Sequence, residues 1–140
     1  MDLLAFAKTI AERIEAQSVR AGVPTAVSVI DIHGNMVLQH RMNGAPAFSM
    51  EISERKAYTS ALVGLRTADL FPLVQPGQEL FPLMGLSGGR FCPMGGGAPL
   101  ACAGLRVAGV GVSGGTVEQD VAILESALRE AATPALAATS

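Results

Sequence analysis

The chain has 140 residues and a formal net charge of −2, with 49% hydrophobic and 16% charged residues. The lack of any Lys/Arg cluster argues against a nucleic-acid partner, and no apolar run approaches the roughly 18 residues that a membrane span needs. The length suits one domain, assigned to residues 1–132, with a flexible tail over residues 133–140. Because the N-terminus lacks the basic start and unbroken apolar stretch of a secretory signal, we expect a cytoplasmic protein.

The first helix and a hairpin are predicted from residues 3 to 42. Apolar residues recur at 3.6-residue spacing from Leu3 to Ile14, which indicates an amphipathic helix that ends before Pro24. Residues 25–32 and 36–42 are rich in strand formers and are joined by a His-Gly-Asn turn. Asp31, at the start of that turn, is expected to accept backbone N–H bonds.

A second helix, a long irregular segment and three strands are predicted next. Ser49 is the expected N-cap of the helix, which runs through Val63. Residues 67–90 contain three prolines and predict a short helix followed by a long ordered loop. The strands are assigned to residues 90–94, 98–104 and 105–114, and a Thr116–Gln119 capping box starts the last helix.

This order of elements predicts the fold class. Strands come in hairpin-like clusters and do not alternate singly with helices. The pattern favours an α+β domain with a five-stranded antiparallel sheet flanked by helices.

Glycine is concentrated in the second half of the chain, where eleven of the 16 glycines lie between Gly85 and Gly115. The run Gly109 to Gly114 fits G-x-G-x-x-G, but no second strand with a ribose-binding acid follows, and Glu118 and Asp120 would repel a pyrophosphate. Gly109 and Gly111 instead remove side chains from one face of a strand, which indicates close approach of a ligand or of a packed helix. Both interpretations stay open.

Six blocks of sequence resemble one protein family. They are VIDIHGN (29–35), RMNGA (41–45), ERKAYTSA (54–61), VQPGQELF (74–81), GGGAPL (95–100) and GVGVSGGTVEQD (109–120). In this order they resemble the GlcG/HbpS-like family, and most of all its branch with the PduO C-terminal domain and the OrfY-type proteins.

The resemblance implies a profilin-like fold, homo-oligomers that are often octamers, and haem binding. For the branch it also implies a link to cobalamin-dependent diol or glycerol metabolism, in some cases inside a bacterial microcompartment. The adenosyltransferase activity of PduO is not implied, since the chain has no room for that domain. The apolar composition independently favours self-association.

Candidate ligand-binding residues follow from the family positions and the glycines. Arg41, Met42 and Lys56 match family positions. Arg41 and Lys56 could bind haem propionates through charge-assisted hydrogen bonds, or could pair with Glu51, Glu54 or Asp31. The remaining candidates are the glycines of a groove, Gly95, Gly96, Gly97, Gly109 and Gly111.

Candidate iron ligands are few, because haem iron usually takes His, Cys, Met or Tyr. His33 lies in a turn and His40 on a strand, and either could equally be a plain surface residue. Cys92 and Met94 flank Pro93 just before the triple glycine, where a cleft is expected. Tyr58 on the second helix is as readily explained by packing.

The sequence therefore predicts a small cytoplasmic ligand-binding module that holds haem or a related tetrapyrrole. Two alternatives stay open. One is an auxiliary catabolic enzyme acting on a small carboxylate or carbonyl compound, and the other is a purely structural oligomer. No nucleophile with its base stands out, since no histidine follows residue 40.

Overall fold

The computed structural model describes residues 1–130, so the predicted tail over residues 133–140 lies outside the described residues. Within them the chain forms eight regular elements: α1 (Leu3–Ala21), β1 (Ala26–Asp31), β2 (Met36–Arg41), α2 (Ser49–Val63), α3 (Thr67–Leu70), β3 (Gly97–Cys102), β4 (Leu105–Ser113) and α4 (Val117–Glu130). Three short 3-10 turns, Phe71–Val74, Phe81–Gly85 and Ser87–Gly89, complete the irregular segment that the sequence predicted after α3. No helix in this part of the chain is both long and apolar enough to cross a membrane.

The four strands form one antiparallel sheet with the order β2-β1-β4-β3. Alternate side chains of β4, namely Ala108, Val110 and Val112, pack with α1 and α4 into the larger core on one face. Helix α2 covers the opposite face. The predicted α+β class and the antiparallel sheet are confirmed.

The prediction of a fifth strand is wrong, because residues 90–94 form a turn and irregular backbone. Pro93 has no N–H with which to join a ladder. The Cys92 N–H is also diverted, since it donates to Thr59 Oγ1 at 2.8 Å on α2. The profilin-like assignment stays a prediction.

The face of β4 that carries Gly109 and Gly111, and so lacks side chains at these positions, is called its bare face, and α2 covers it. A Cβ added to Gly109 would lie 2.5 Å from the Ala61 nitrogen, and one added to Gly111 would lie 2.7 Å from the Ala57 nitrogen, with helix carbonyl oxygens nearer still. The interpretation that a helix packs across these glycines is therefore confirmed. A role of Gly109 and Gly111 in ligand binding stays a prediction, and helix packing accounts for both residues without it.

The helix starts agree with the sequence at α4 and differ at α2. At α4 the Gln119 N–H donates to Thr116 Oγ1 at 3.1 Å and the Thr116 N–H donates to Gln119 Oε1 at 2.9 Å, which confirms the capping box. At α2 the prediction of Ser49 as N-cap is wrong. The cap position is Phe48, which makes no side-chain cap bond, and Ser49 is buried as the first helical residue.

Candidate functional site

A buried ion pair joins the two faces of the sheet. The Lys56 ammonium on α2 donates to Asp120 Oδ2 at 3.2 Å on α4 and to the Val112 carbonyl oxygen at 2.8 Å on β4. Asp120 also accepts from the Gly115 N–H at 2.9 Å. The side chain of Lys56 is 0% exposed and that of Asp120 is 3% exposed, so every charged atom of the pair depends on protein partners.

Burial controls the ionisation of both partners. It lowers the pKa of the Lys56 ammonium from its ordinary value, although the charge and hydrogen bond of Asp120 act to raise it. Burial likewise raises the pKa of the Asp120 carboxyl, against the opposing charge of Lys56 and the Gly115 hydrogen bond. Desolvation therefore opposes the charged form of each group, and their mutual contact offsets only part of that cost.

The triple glycine wraps this pair because no side chain fits there. A Cβ on Gly96 would lie 2.8 Å from Lys56 Nζ, and Gly96 also has a φ of +123°, which a side chain would disfavour. A Cβ on Gly97 would lie 2.8 Å from Thr67 Cγ2, and the Gly97 N–H donates to Thr67 Oγ1 at 2.8 Å. Gly95, Gly96 and Gly97, three of the five predicted groove glycines, are all buried, and a Cβ on Gly95 would lie 2.6 Å from Val121 Cγ2.

Gly95 opens onto an apolar cleft of about 300 Å³ at the start of α4. The cleft is lined by Ala68, Phe71, Met94, Gly95 and Val117. Phe71, Met94 and Val117 are each more than a third exposed. The predicted cleft beside the Cys92–Met94 segment is thus present, and Met94 lies on its wall.

Cys92 lies half-buried, two residues before the cleft residue Met94. Burial raises the pKa of its thiol, and the nearby Met94 hydrogen bond and Lys56 charge only partly oppose this. A thiol that keeps its proton is a poor ligand for iron, which prefers the thiolate.

Arg41, Met42 and Lys56 do not form one cluster. Arg41 is exposed at the end of β2, and the half-buried Met42 sulfur accepts from Thr25 Oγ1 at 3.7 Å. Lys56 is instead enclosed at the α2–α4 contact. A direct bond from Lys56 to an external carboxylate would require the ion pair to open.

The predicted partners of Lys56 need correcting. The sequence suggests Glu51, Glu54 or Asp31 as the partner, whereas the structure pairs Lys56 with Asp120. Asp31 instead performs its expected turn role, because its Oδ1 accepts from the backbone N–H groups of His33 at 2.9 Å and Asn35 at 3.0 Å.

Neither histidine is among the residues that line the cleft. His33 is an exposed residue of the β1–β2 turn. His40 Nδ1 lies 3.1 Å from Glu15 Oε2 on α1, and its side chain is 45% exposed. Tyr58 is buried between Gly34 and the Phe91 ring, and its hydroxyl donates to Ser87 Oγ at 3.0 Å.

Asp120 is the site residue that the sequence reasoning missed. From the sequence alone, Asp120 and Glu118 are predicted only to repel a pyrophosphate, and both lie in the first turn of α4. A usable signal was present, because Asp120 shares the 3.6-residue stripe of the buried residues Leu124 and Ala127, whereas Glu118 does not. A carboxylate on the apolar stripe of a helix needs a buried cation as its partner.

The chain is similar in sequence or structure to three other proteins. It is 42% identical, over 89% of this chain and 88% of the relative, to a 15.0 kDa protein of the dhaT-dhaS intergenic region of Citrobacter freundii. It is 38% identical to the corrinoid adenosyltransferase PduO of Salmonella typhimurium, over 76% of this chain but only 32% of PduO. Among solved structures it resembles the complex of PduOC with haem, with a TM-score of 0.83 and 32% identity over 89% of this chain and 91% of that one.

The sequence resemblance to the GlcG/HbpS-like family is confirmed by these relatives. It is confirmed further by a family model, described as haem degrading protein HbpS-like, which matches residues 4–129. Since that match covers all four strands and all but the first residue of α1 and the last residue of α4, the chain belongs to the HbpS-like family.

Proposed function

We propose that the protein is a haem-binding module that holds the tetrapyrrole in the apolar cleft. The observation that supports this most directly is the likeness to PduOC, whose solved structure is a haem complex. The residues of the cleft fit such a ligand, because Phe71 and Val117 offer apolar surface to a macrocycle and Met94 offers a thioether to the iron. When bound, haem would supply its iron for redox or gas chemistry, and the chain would orient and shield it.

The cleft covers only part of a tetrapyrrole. Its volume of about 300 Å³ is at the lower end of the roughly 300–1,000 Å³ of small-molecule pockets. One edge of the macrocycle would enter it, with the remainder lying on neighbouring surface. Arg41 stays a candidate for a propionate, whereas Lys56 supports the site by holding α2 to α4 beneath the triple glycine.

Placing an acid in the cleft is expected to weaken haem binding by tenfold or more. Val117→Glu puts a charge against the macrocycle at a helix start, where an acid suits the helix itself. The measurement is a hemin titration followed by the Soret band, in which the unaltered protein saturates. Leu105→Glu, at a 71% exposed position on β4, is the matched control and should bind as the unaltered protein does.

The identity of the iron ligand is read from the same titration. Met94→Leu keeps the shape of the cleft and removes the sulfur, so it should shift the Soret band, whereas His33→Ala, His40→Ala and Cys92→Ala should not. Non-saturable binding that none of these changes affects would remove the haem proposal. A shift in His40→Ala alone would move the site away from the cleft.

We also propose that the protein forms homo-oligomers, with the octamer of the family as the expected form. Phe71 lines the cleft. It is one of several large exposed apolar side chains in the irregular segment after α3, namely Phe71, Leu73, Leu80, Phe81 and Leu86. Apolar surface of this extent typically marks an interaction site. A second protomer here would also complete the cover over a haem.

A charge in this segment is expected to lower the assembled mass. Phe81→Glu should shift the species in sedimentation velocity towards the monomer of 14.4 kDa, because it buries a carboxylate in the interface. Val19→Glu, on an apolar residue of α1 that is 69% exposed against 46% for Phe81, should leave the mass unchanged. Equal masses for both variants would contradict an interface at this segment.

The pathway proposed for the module is cobalamin-dependent diol or glycerol metabolism, in which it acts as an accessory factor in the cytoplasm or in a microcompartment. The support is the relation to PduO, named as a corrinoid adenosyltransferase. Because the chain spans about a third of PduO, that transferase activity is not part of the proposal.

A further inference from the structure

A second cavity lies on the α2 side of the sheet. It has a volume of about 250 Å³ and is lined by Gly34, Gln39, Met50, Glu51, Glu54, Arg55, Tyr58 and Arg90. Four of these eight residues are formally charged, two with each sign. The cavity therefore differs in chemistry from the apolar cleft, and it shares no lining residue with the haem site proposed above.

Two hydrogen bonds and a cation–π contact hold the Arg90 side chain at this cavity. Its Nη2 donates to the Tyr58 hydroxyl at 2.9 Å, its Nε donates to the Ser87 carbonyl oxygen at 3.0 Å, and its Cζ lies 4.3 Å from the centre of the Tyr58 ring. Ser87 has a φ of +53°, which is strained for a residue with a side chain. Strain of this kind persists where the surroundings fix a geometry, and it is common at ligand sites.

The charges in the cavity are only partly balanced by protein partners. Arg55 uses its Nε to contact Glu51 Oε2 at 3.2 Å. Over residues 1–130, the remaining guanidinium donors of Arg55 and the Nη1 of Arg90 have no protein acceptor. Glu54 has no basic partner within the same residues. Two donor groups and one acceptor carboxylate are thus available to a ligand.

We propose that this cavity binds a small organic carboxylate that has a hydroxyl group. The ligand carboxylate would accept hydrogen bonds from Arg55 and Arg90, for which planar guanidinium groups are well suited. The hydroxyl would donate to Glu54, since a carboxylate is an acceptor only. The volume of about 250 Å³ lies below the roughly 300–1,000 Å³ of drug-sized pockets and suits a small metabolite.

Three small compounds of matched size separate the two contacts. Lactate has both groups, propionate lacks the hydroxyl and glycerol lacks the carboxylate. Titrations followed by isothermal calorimetry and by amide chemical shifts should give lactate the highest affinity, propionate a lower one, and glycerol no saturable binding. Equal affinities for the three compounds, or no binding of lactate at tens of millimolar, would overturn the proposal.

Variants assign the contacts to residues. Arg90→Gln and Arg55→Gln should each weaken lactate and propionate about tenfold, the usual effect of losing one charged hydrogen bond. Glu54→Gln should weaken lactate and leave propionate unchanged. Arg20→Gln, at an exposed site that pairs with Glu130, should leave lactate unchanged, and unaltered lactate binding in both Arg90→Gln and Arg55→Gln would overturn the assignment. Hemin affinity of the folded variants should not change, so this test and the haem test fail independently.

Discussion

Lys56→Met is expected to lower the free energy of unfolding by about 3–5 kcal/mol, the usual cost of breaking a buried ion pair. Methionine keeps most of the side-chain volume, so the loss reports on charge and not on a cavity. The substitution leaves the Asp120 carboxylate buried without its cation and leaves the Val112 carbonyl oxygen without its donor. Urea unfolding followed by circular dichroism gives the value.

A double-mutant cycle tests whether the loss comes from the pair. Asp120→Asn alone and the combination with Lys56→Met should show a coupling of more than about 1 kcal/mol, since the residues are in contact. Lys8→Met, on the exposed side of α1, is the matched control and should change stability by less than about 0.5 kcal/mol. Additive effects at Lys56 and Asp120, or a loss for Lys56→Met no larger than that of the control, would contradict a stabilising pair.

The stability that Lys56→Met loses, measured as the free energy of unfolding, should depend on pH because of Asp120. Burial raises the pKa of the Asp120 carboxyl, and the positive charge of Lys56 lowers that pKa. Removing the Lys56 charge should therefore raise the pKa of Asp120 further. A carboxyl whose pKa is higher in the folded chain takes up a proton on folding, so acid favours the folded state from that pKa down to the unfolded value of about 3.9. The deficit of the variant should therefore be smaller at pH 5 than at pH 8.

Local patterns were sufficient to predict most of the regular elements. Helices α1 and α4 and the β1–β2 hairpin follow from apolar periodicity and turn residues, which act over a few neighbours in sequence. The alternation of Gly109 and Gly111 indicates from the sequence alone that another group packs closely against one face of this strand. What occupied that face, a helix or a ligand, depends on tertiary packing and could not be decided locally.

The errors occur where the structure depends on contacts between distant residues. Residues 90–94 have strand-like composition, but Pro93 and the bond from Cys92 to Thr59 keep them out of the ladder. The partner of Lys56 is 64 positions away in the sequence. Helix and strand periodicity relate only residues that are a few positions apart, so they do not predict this pair. The polar cavity was missed for the same reason, since it gathers residues from Gly34 to Arg90.

Gly111→Val is expected to prevent stable folding or to cost at least about 3 kcal/mol, at the upper end of overpacking losses. The new Cβ would lie 2.7 Å from the Ala57 nitrogen and 3.0 Å from Lys56 Cβ, so α2 would have to move away from β4. That movement would also stretch the 2.8 Å bond between Ser28 and Ser53. Soluble yield, thermal unfolding and hydrogen exchange of α2 amides measure the effect.

Two further glycine substitutions separate crowding at Gly111 from a general effect of replacing glycine. Gly111→Ala should cost most of what the valine costs, because the overlap begins at Cβ and involves backbone atoms of α2 that cannot rotate away. Gly85→Ala adds the same carbon where nothing lies within 4 Å, and it should change stability by less than about 1 kcal/mol. If Gly111→Ala were as stable as Gly85→Ala, α2 would not be seated on the bare face of β4, and the position of Lys56 beneath the triple glycine would lose its support.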